Sequence, residues 1–404
     1  MTVVVVGGGP AGLASAIELR RLGVPEVVVL DREQQAGGIP RHCAHQGFGL
    51  RDLRRAFSGP AYARRYVDLA RGAGVDVRTE AMATGWTANG ALEVTTPGGR
   101  ETPRADAVVL ATGCRERPRA ARLVPGSRPD GVLTTGLLQQ LAQQGLPIGT
   151  CALIVGAEHV SFSALLTLAH AHVEVAGMVT DLPRHQSLPF AGTAATLRYR
   201  FPLWTRTEVA AIQGRERVEE VELRELDSGA TRSVPCDTVV FTGDWIPDHE
   251  LAVMAGVELD PGTRGPRVDT ALRTSRAGVF AAGNVVQGAE PADVVALAGK
   301  HTAAGVALWL GDGDWPAQVH VSCLAPLWWV SPNAIADRAP PPRGRFLVRS
   351  TAFLDRPRIE IRQDGRLLWS GRLRKLVPGR STSLPADWIG SVDANGGPVA
   401  VSAH

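Results

Sequence analysis

Residues 2–31, TVVVVGGGPAGLASAIELRRLGVPEVVVLD, decide the fold. Val3 to Val6 are four consecutive β-branched residues, the composition of a strand buried on both faces. The loop follows at once: Gly7, Gly9 and Gly12 occupy the G-x-G-x-x-G positions, with Pro10 and Ala11 inside it. The first glycine allows a tight turn, the second lets backbone approach a pyrophosphate, and the third lets helix and strand pack closely. Leu13 to Leu22 repeats apolar residues at helical spacing, so the loop opens a helix whose free N–H groups and dipole suit phosphates. A second strand, Val27 to Leu30, ends at Asp31, 19 residues after Gly12, where a carboxylate would hold a ribose hydroxyl pair. Strand, loop, helix, strand and terminal acid together predict a dinucleotide site.

A chain of 404 residues is expected to form two or three domains, each with its own core. A hydrophobic fraction of 44% and a charged fraction of 21% are ordinary for a globular protein, and a net charge of +3 is too small to imply nucleic acid. Lys300 and Lys375 are the two lysines among 43 basic residues, which leaves 41 arginines, a skew that fits coding bias better than an anion-binding surface. The five cysteines, Cys43, Cys114, Cys151, Cys236 and Cys323, have no short spacing, which argues against a zinc ribbon, a four-cysteine cluster or a disulfide framework. With no signal-type region before the first strand and no apolar run of about 18 residues, the expectation is a cytoplasmic, soluble protein without a membrane span.

After Asp31, the glycine-rich segment from Arg32 to Gly49 is irregular and is expected to line or cover a site. Arg51 to Ala73 reads as helix, Val75 to Val94 as a β-meander, and Asp106 to Ala111 as another buried strand ending in Thr112-Gly113. Val124 to Gly131 is punctuated by proline and glycine, a domain boundary. Ala152 to Val155 then starts a second strand–turn–helix, with Gly156-Ala157-Glu158-His159-Val160-Ser161 in place of the phosphate loop and helix from Phe162 to His170. Strands are expected at Val173 to Thr180, Val218 to Leu226 and Thr238 to Thr242, with the return crossing at Gly243 to Pro247. Val279 to Asn284 is expected to be a short apolar strand ending in a polar amide, shortly followed by a helix from about Ala292 to Leu310. Beyond Gly311, alternating stretches at Arg358 to Arg362 and Arg366 to Arg372 suggest a small β module. Trp315, Trp328, Trp329, Trp369 and Trp388 would supply its core and docking face.

The GGGPAG loop with Asp31, the Ala111-Thr112-Gly113 turn, the second loop at 156–161 and Ala281-Ala282-Gly283-Asn284 before a helix follow one another in an order that resembles the pyridine nucleotide–disulfide oxidoreductase superfamily. The runs ATGCRERPR (111–119) and GGIPRHC (37–43) resemble the branch holding FAD subunits of bacterial sarcosine, opine and proline dehydrogenases, hydrogen cyanide synthase, and oxidoreductases that accompany glycerol-3-phosphate dehydrogenase-like proteins. The resemblance covers residues 1 to about 310. It implies an α/β fold: two Rossmann-like, three-layer dinucleotide-binding domains, the second inserted in the first. The FAD domain would comprise 1–125 and 244–312, a degenerate NAD(P)-binding-like domain 126–243, and the β module 313–404.

It implies FAD bound through Gly7, Gly9, Pro10, Ala11, Gly12, Asp31, Arg32, Gly38, Arg41, Ala111, Thr112, Gly113, Gly283, Asn284 and Ala292. Asn284 stands where the superfamily more often has aspartate, and the helix from Ala292 would aim its N-terminus at the flavin pyrimidine ring, stabilising reduced flavin. His42, Cys43 and His45 would lie near the isoalloxazine as candidates for proton donation or substrate positioning, against the plainer reading of loop packing. No metal is expected there, because a His-Cys-x-His arrangement lacks a fourth ligand.

Two departures bear on chemistry. Cys43 has no neighbouring partner, which argues against thiol–disulfide exchange. Glu158 and Ser161 stand at glycine positions of the nicotinamide loop. A carboxylate about 4 Å from a phosphate at an effective dielectric near 20 costs on the order of 4 kcal/mol, roughly a thousandfold in affinity. NAD(P) binding is therefore doubtful, although Asp181 could hold an NAD ribose and Arg184 could suit a 2′-phosphate, against the plainer reading of both as loop residues. The resulting expectation is a flavoprotein subunit of a dehydrogenase complex that oxidises a small amine, amino acid or hydroxy acid. It would pass electrons to a second dehydrogenase subunit or an iron–sulfur protein. The alternatives are an NAD(P)H-dependent reductase or oxidase, and a non-catalytic FAD-holding subunit.

Overall fold

The computed structural model describes residues 1–187 and 189–404. The chain divides into two compact units: Met1–Arg41, Gln46–Arg115 and Ile246–His404 form the first, His42–His45 and Glu116–Trp245 the second.

The first unit is built on a parallel sheet in the order Val279–Ala281, Ala107–Leu110, Thr2–Val6, Glu26–Leu30, Asp76–Arg78. Its central strand Thr2–Val6 is buried along its whole length, as the β-branched run requires. Side chains alternate across a strand, and two cores result. Val3, Val5, Val27 and Val29 pack against the opening helix Pro10–Arg21, the helix Gly59–Gly72 and the long helix Ala292–Asp312. Val4, Val6, Val28 and Leu30 face the antiparallel strands Met82–Trp86 and Leu92–Thr96, the short helix Glu250–Met254 and the helical turn Gly283–Val285. The opening helix and the long helix cross at a glycine: a Cβ on Gly299 would fall 1.9 Å from the Ala11 carbonyl oxygen.

Two sequence expectations are corrected here. The helix expected from Arg51 begins only at Gly59, because Arg51 and Asp52 turn their side chains to partners elsewhere and Ser58-Gly59-Pro60 supplies the start. Asp76–Arg78 joins the parallel sheet beside Glu26–Leu30, and the antiparallel meander begins at Met82. The long helix Ala292–Asp312 is apolar enough to cross a membrane by length and composition alone, with a mean hydropathy of 1.3 over its most apolar window. Its Val295, Ala296, Ala303 and Val306 are instead buried in the first core.

Residues 319–403 add a five-stranded sheet, in the order Ala334–Ile335, Val319–Cys323, Val399–Ala403, Arg358–Gln363, Arg366–Arg372, and a three-stranded one, Leu327–Ser331, Arg345–Ser350, Thr382–Pro385. Trp388 stacks on Phe346 at 4.8 Å in their shared core, whereas Trp315 packs edge-on against Phe280 and Trp309 of the Rossmann-like part.

The second unit repeats the plan. Thr238–Phe241, Cys151–Val155, Glu174–Val179 and Leu203–Trp204 lie in the same order as their counterparts, and the outer strand, Val132–Thr134, precedes them in the chain. The antiparallel strands Thr207–Gln213, Glu220–Glu225 and Thr231–Pro235 pack on one face, with the helices Thr135–Gln144 and His159–His170 on the other.

Candidate functional site

The loop after Thr2–Val6 is crowded on every side but one. A Cβ on Gly7 (φ +111°) would lie 2.3 Å from the Ala111 oxygen, one on Gly8 2.4 Å from Asp31 Oδ2, and one on Gly12 1.9 Å from the Gly7 oxygen. Gly9 faces open space, its nearest neighbour being Gly38 Cα at 3.9 Å. Gly9 is also the N-cap of the opening helix, with Pro10 in the first turn and no side chain capping it. The helix therefore presents uncommitted N–H groups and positive dipole at the one open face of the loop. Asp31 is 7% exposed. It accepts the N–H of Gly8 at 3.1 Å and that of Glu33 at 2.9 Å, and its burial raises its pKa above the ordinary value.

The flanking residues expected at this site gather around the same loop. Gly37 donates to the Gly8 oxygen at 2.7 Å, which lays Gly38 (φ +65°) against Gly9, and Arg41 Nε donates to the Gly38 oxygen at 3.3 Å. Ala111 carries the carbonyl that faces Gly7, and Thr112 Oγ1 donates to the Asp248 oxygen at 2.7 Å. Gly113 accepts the Asp248 N–H at 2.9 Å, and the exposed Arg32 lies 3.8 Å from the Asp248 carboxylate. At the far end Gly283 (φ +80°) packs on Ala11, where a Cβ would come within 2.7 Å. Ala292 opens the long helix with no side-chain cap. Asn284 uses its amide on its own chain, its Oδ1 accepting the Glu290 N–H at 2.9 Å and its Nδ2 donating to the Glu290 oxygen at 3.3 Å.

Sequence reasoning missed two groups near the start of this helix. Asp293, 3% exposed, is held by Arg51 Nη1 at 3.0 Å and by the Arg51 N–H at 3.1 Å. Asp52 accepts the hydroxyls of Tyr62 and Tyr66 at 2.5 and 2.7 Å, and burial pushes both phenol pKa values up. Arg51 and Asp293 meet across 242 residues, and Asp52 meets its tyrosines across a loop and a helix start, so no fixed spacing marks either group.

His42, Cys43 and His45 belong to the second unit. His42 Nδ1 lies 2.7 Å from Gln143 Oε1, and Cys43 Sγ donates to Gln139 Oε1 at 3.3 Å. Burial pushes the Cys43 thiol up to about 12, so it is neutral and a poor nucleophile at neutral pH. Glu116, which sequence reasoning passed over, accepts the N–H groups of Thr135 and Gly136 at 3.2 and 2.8 Å across the start of helix Thr135–Gln144. Burial raises its pKa.

The second glycine loop differs from the first in one decisive way. Glu158 and Ser161 form a reciprocal capping box on helix His159–His170, with Ser161 Oγ accepting the Glu158 N–H at 3.1 Å. Ser161 Oγ also lies 2.7 Å from Thr242 Oγ1. The helix end that would receive a diphosphate already holds the protein's own carboxylate.

The uncapped helix, the single open glycine and the buried Asp31 fit an FAD pyrophosphate and ribose. The capped helix of the second unit does not offer an equivalent seat. Two Rossmann-like units with an inserted second unit define the class of two-dinucleotide-domain flavoproteins. The model of the pyridine nucleotide-disulphide oxidoreductase family matches residues 1–305, and the chain belongs to that family as an FAD-dependent oxidoreductase.

The chain is 27% identical over 392 residues to an opine oxidase subunit of Rhizobium meliloti, a match covering 87% of this chain and 68% of that protein. It is 29% identical over 333 residues to the corresponding opine oxidase subunit of Agrobacterium tumefaciens, covering 72% of this chain and 63% of the relative. The chain thus spans about two thirds of their length. Among solved structures, thioredoxin reductase of T. acidophilum superposes with a TM-score of 0.63 at 22% identity, covering 75% of this chain and 96% of the other, a likeness of fold.

Proposed function

We propose that this chain is a flavoprotein subunit of a dehydrogenase complex that oxidises a small amine, amino acid or hydroxy acid and hands the electrons to a partner. The observation that carries this reading is the contrast between the two helix ends. One is open beside a buried ribose-type acid, and the other is sealed by Glu158 and Ser161. Similarity to opine oxidase subunits supports a substrate of the amine or amino-acid class and a partner subunit.

In this reading residues 1–125 and 244–312 form the FAD domain, 126–243 the degenerate nucleotide domain and 313–404 the β module. Bound FAD supplies a hydride acceptor at its flavin ring. Ala11 and Gly12 would direct N–H groups to the pyrophosphate across Gly7 and Gly9, Pro10, which has no N–H, would fix the start of the helix, and Asp31 would accept the ribose hydroxyls. Arg32, Gly38, Arg41 and Ala111 to Gly113 wall the cradle, and Gly283, Asn284 and Ala292 shape its far end. His42 and His45 are the candidates for proton transfer, with Cys43 a neutral thiol beside them. The protein acts in the cytoplasm, and an iron–sulfur protein or a second flavoprotein takes the electrons.

The test is anaerobic mixing of the yellow protein with NADH, NADPH and a panel of amines, amino acids and hydroxy acids. Bleaching of the flavin's visible absorbance by a panel member, and not by the nucleotides, is expected. Rapid bleaching by NADH or NADPH overturns the proposal.

A further inference from the structure

The family match ends at residue 305 and leaves the β module without a role. The module reaches back to the turn Asn284–Pro291, which joins the sheet edge to the long helix. That turn holds Ala289 in the left-handed region at φ +64°, a conformation a non-glycine residue keeps only when its surroundings impose it. Arg349 Nη2 donates to the Ala289 oxygen and to Glu290 Oε1, each at 3.0 Å. Ser381 Oγ bonds the same Glu290 carboxylate and accepts from Arg349 Nε at 3.1 Å. The guanidinium lies over the Trp329 ring, 4.9 Å from its centroid, and both Arg349 and Glu290 side chains are 6% exposed. A second tie runs from Ser331 Oγ to Gln287 Oε1 at 2.8 Å. Every anchor lies beyond the family match, and every anchored residue lies in the turn.

We infer that Arg349 is a positioning residue: by gripping Ala289 and Glu290 it fixes the Glu290 backbone that the Asn284 amide reads, and so sets the cofactor's seat between Gly283 and Ala292. The inference rests on the FAD reading of those three positions. It also accounts for an amide at 284. The side chain must accept the Glu290 N–H and donate to the Glu290 oxygen, and a carboxylate can only accept. A buried ion pair adds little net stability, yet removing one partner leaves an uncompensated charge, so the value of this pair is geometric.

The test uses the full chain stripped of FAD and titrated with FAD, with thermal unfolding measured alongside. Arg349→Leu is expected to weaken FAD binding about tenfold or more, the equivalent of one net hydrogen bond of about 1.4 kcal/mol, and to lower the melting temperature. The double variant Arg349→Leu with Glu290→Gln removes the orphaned charge. It is expected to regain most of the lost melting temperature and none of the lost affinity. Arg349→Lys keeps the charge without the planar fork and is expected to fold with weakened FAD binding, which supplies the readout if the leucine variant does not fold. A double or lysine variant that binds FAD within twofold of the wild type overturns the inference and leaves the FAD reading standing. A wild-type chain that takes up no FAD overturns both.

Discussion

Glu158 and Ser161 close on each other at the first turn of helix His159–His170, each side chain taking the other's backbone N–H. The helix dipole that would draw a diphosphate is thereby spent on a residue of the protein. Replacing Glu158 with alanine is expected to cost about 0.5–2 kcal/mol through the lost cap. The same change removes the charge opposing phosphate. Thermal unfolding with and without millimolar NADPH reads both effects. The variant should melt lower than the wild type and gain a nucleotide-dependent upward shift that the wild type lacks. An equal shift in the wild type would show that Glu158 leaves the seat accessible.

Two glycines of the first loop separate folding from cofactor binding. A Cβ at Gly12 would fall 1.9 Å from the Gly7 oxygen, whereas one at Gly9 would meet nothing closer than 3.9 Å. Gly12→Ala is expected to disrupt the strand–helix packing and give little folded protein. Gly9→Ala should fold with a stability loss of about 1 kcal/mol or less, since alanine is the poorer N-cap, and should lose FAD affinity by a hundredfold or so as the methyl group enters the phosphate face. Circular dichroism and flavin absorbance of the purified variants distinguish the two.

Asp31 carries a pH dependence with a defined sign. Burial raises its folded pKa above the ordinary 3.8. In the FAD-free protein its charge is thus a burden that appears as pH rises through 3.8 and levels off above the folded value, so this group favours the fold more at acid pH than at neutral pH. FAD binding needs the ionised form to accept the ribose hydroxyls. Affinity should therefore fall as pH drops, with a midpoint above 3.8, and Asp31→Asn should bind weakly with that dependence abolished. Fluorescence titration of FAD between about pH 4 and 8, in steps of about half a unit, checks it. A wild-type affinity flat across the range would remove Asp31 from the site.

The first thirty residues were readable because their signals are local. The valine run can only be a doubly buried strand, the glycines stand at fixed offsets, and Asp31 closes the second strand. The start of the helix at Gly59 was not readable in the same way. Asp52 belongs to Tyr62 and Tyr66, and Arg51 belongs to Asp293, 242 residues away, so their helical spacing is overruled by tertiary partners. Glu116 and Glu290 escaped for the same reason. Their partners, Gly136 and Arg349, lie 20 and 59 residues on, and a charged residue in a loop carries no mark of the partner it will meet. The candidate site's glycine loop was thus open to sequence reasoning, and the turn that Arg349 of the β module grips was not.

Cys43 offers a check on the excluded thiol chemistry. With its pKa pushed up to about 12 by burial, about one thiol in ten thousand is ionised at pH 8. Iodoacetamide should leave Cys43 unmodified in the native protein over the time in which it modifies the unfolded chain, as peptide mass spectrometry would record. Cys43→Ser should keep the FAD affinity and the rate of flavin reduction within about threefold, a difference below about 1 kcal/mol. Rapid stoichiometric alkylation of native Cys43, or loss of reduction in the serine variant, would restore it as a reactive group.

The amide of Asn284 gives the sharpest chemical distinction. An aspartate there, the residue the superfamily more often carries, would accept the Glu290 N–H as asparagine does. Its second oxygen would face the Glu290 carbonyl, where Nδ2 now donates at 3.3 Å. Two acceptors opposed in a half-buried turn lose the hydrogen bond and add repulsion, on the order of 1–3 kcal/mol. Asn284→Asp is therefore expected to weaken FAD binding by about tenfold to a hundredfold, with the loss easing below the carboxyl pKa, where a protonated aspartic acid can donate again. Asn284→Ala, which removes both bonds without the opposed charge, should lose less affinity than the aspartate at neutral pH. If aspartate binds FAD as well as asparagine does, the turn tolerates two acceptors and the amide is not what holds it.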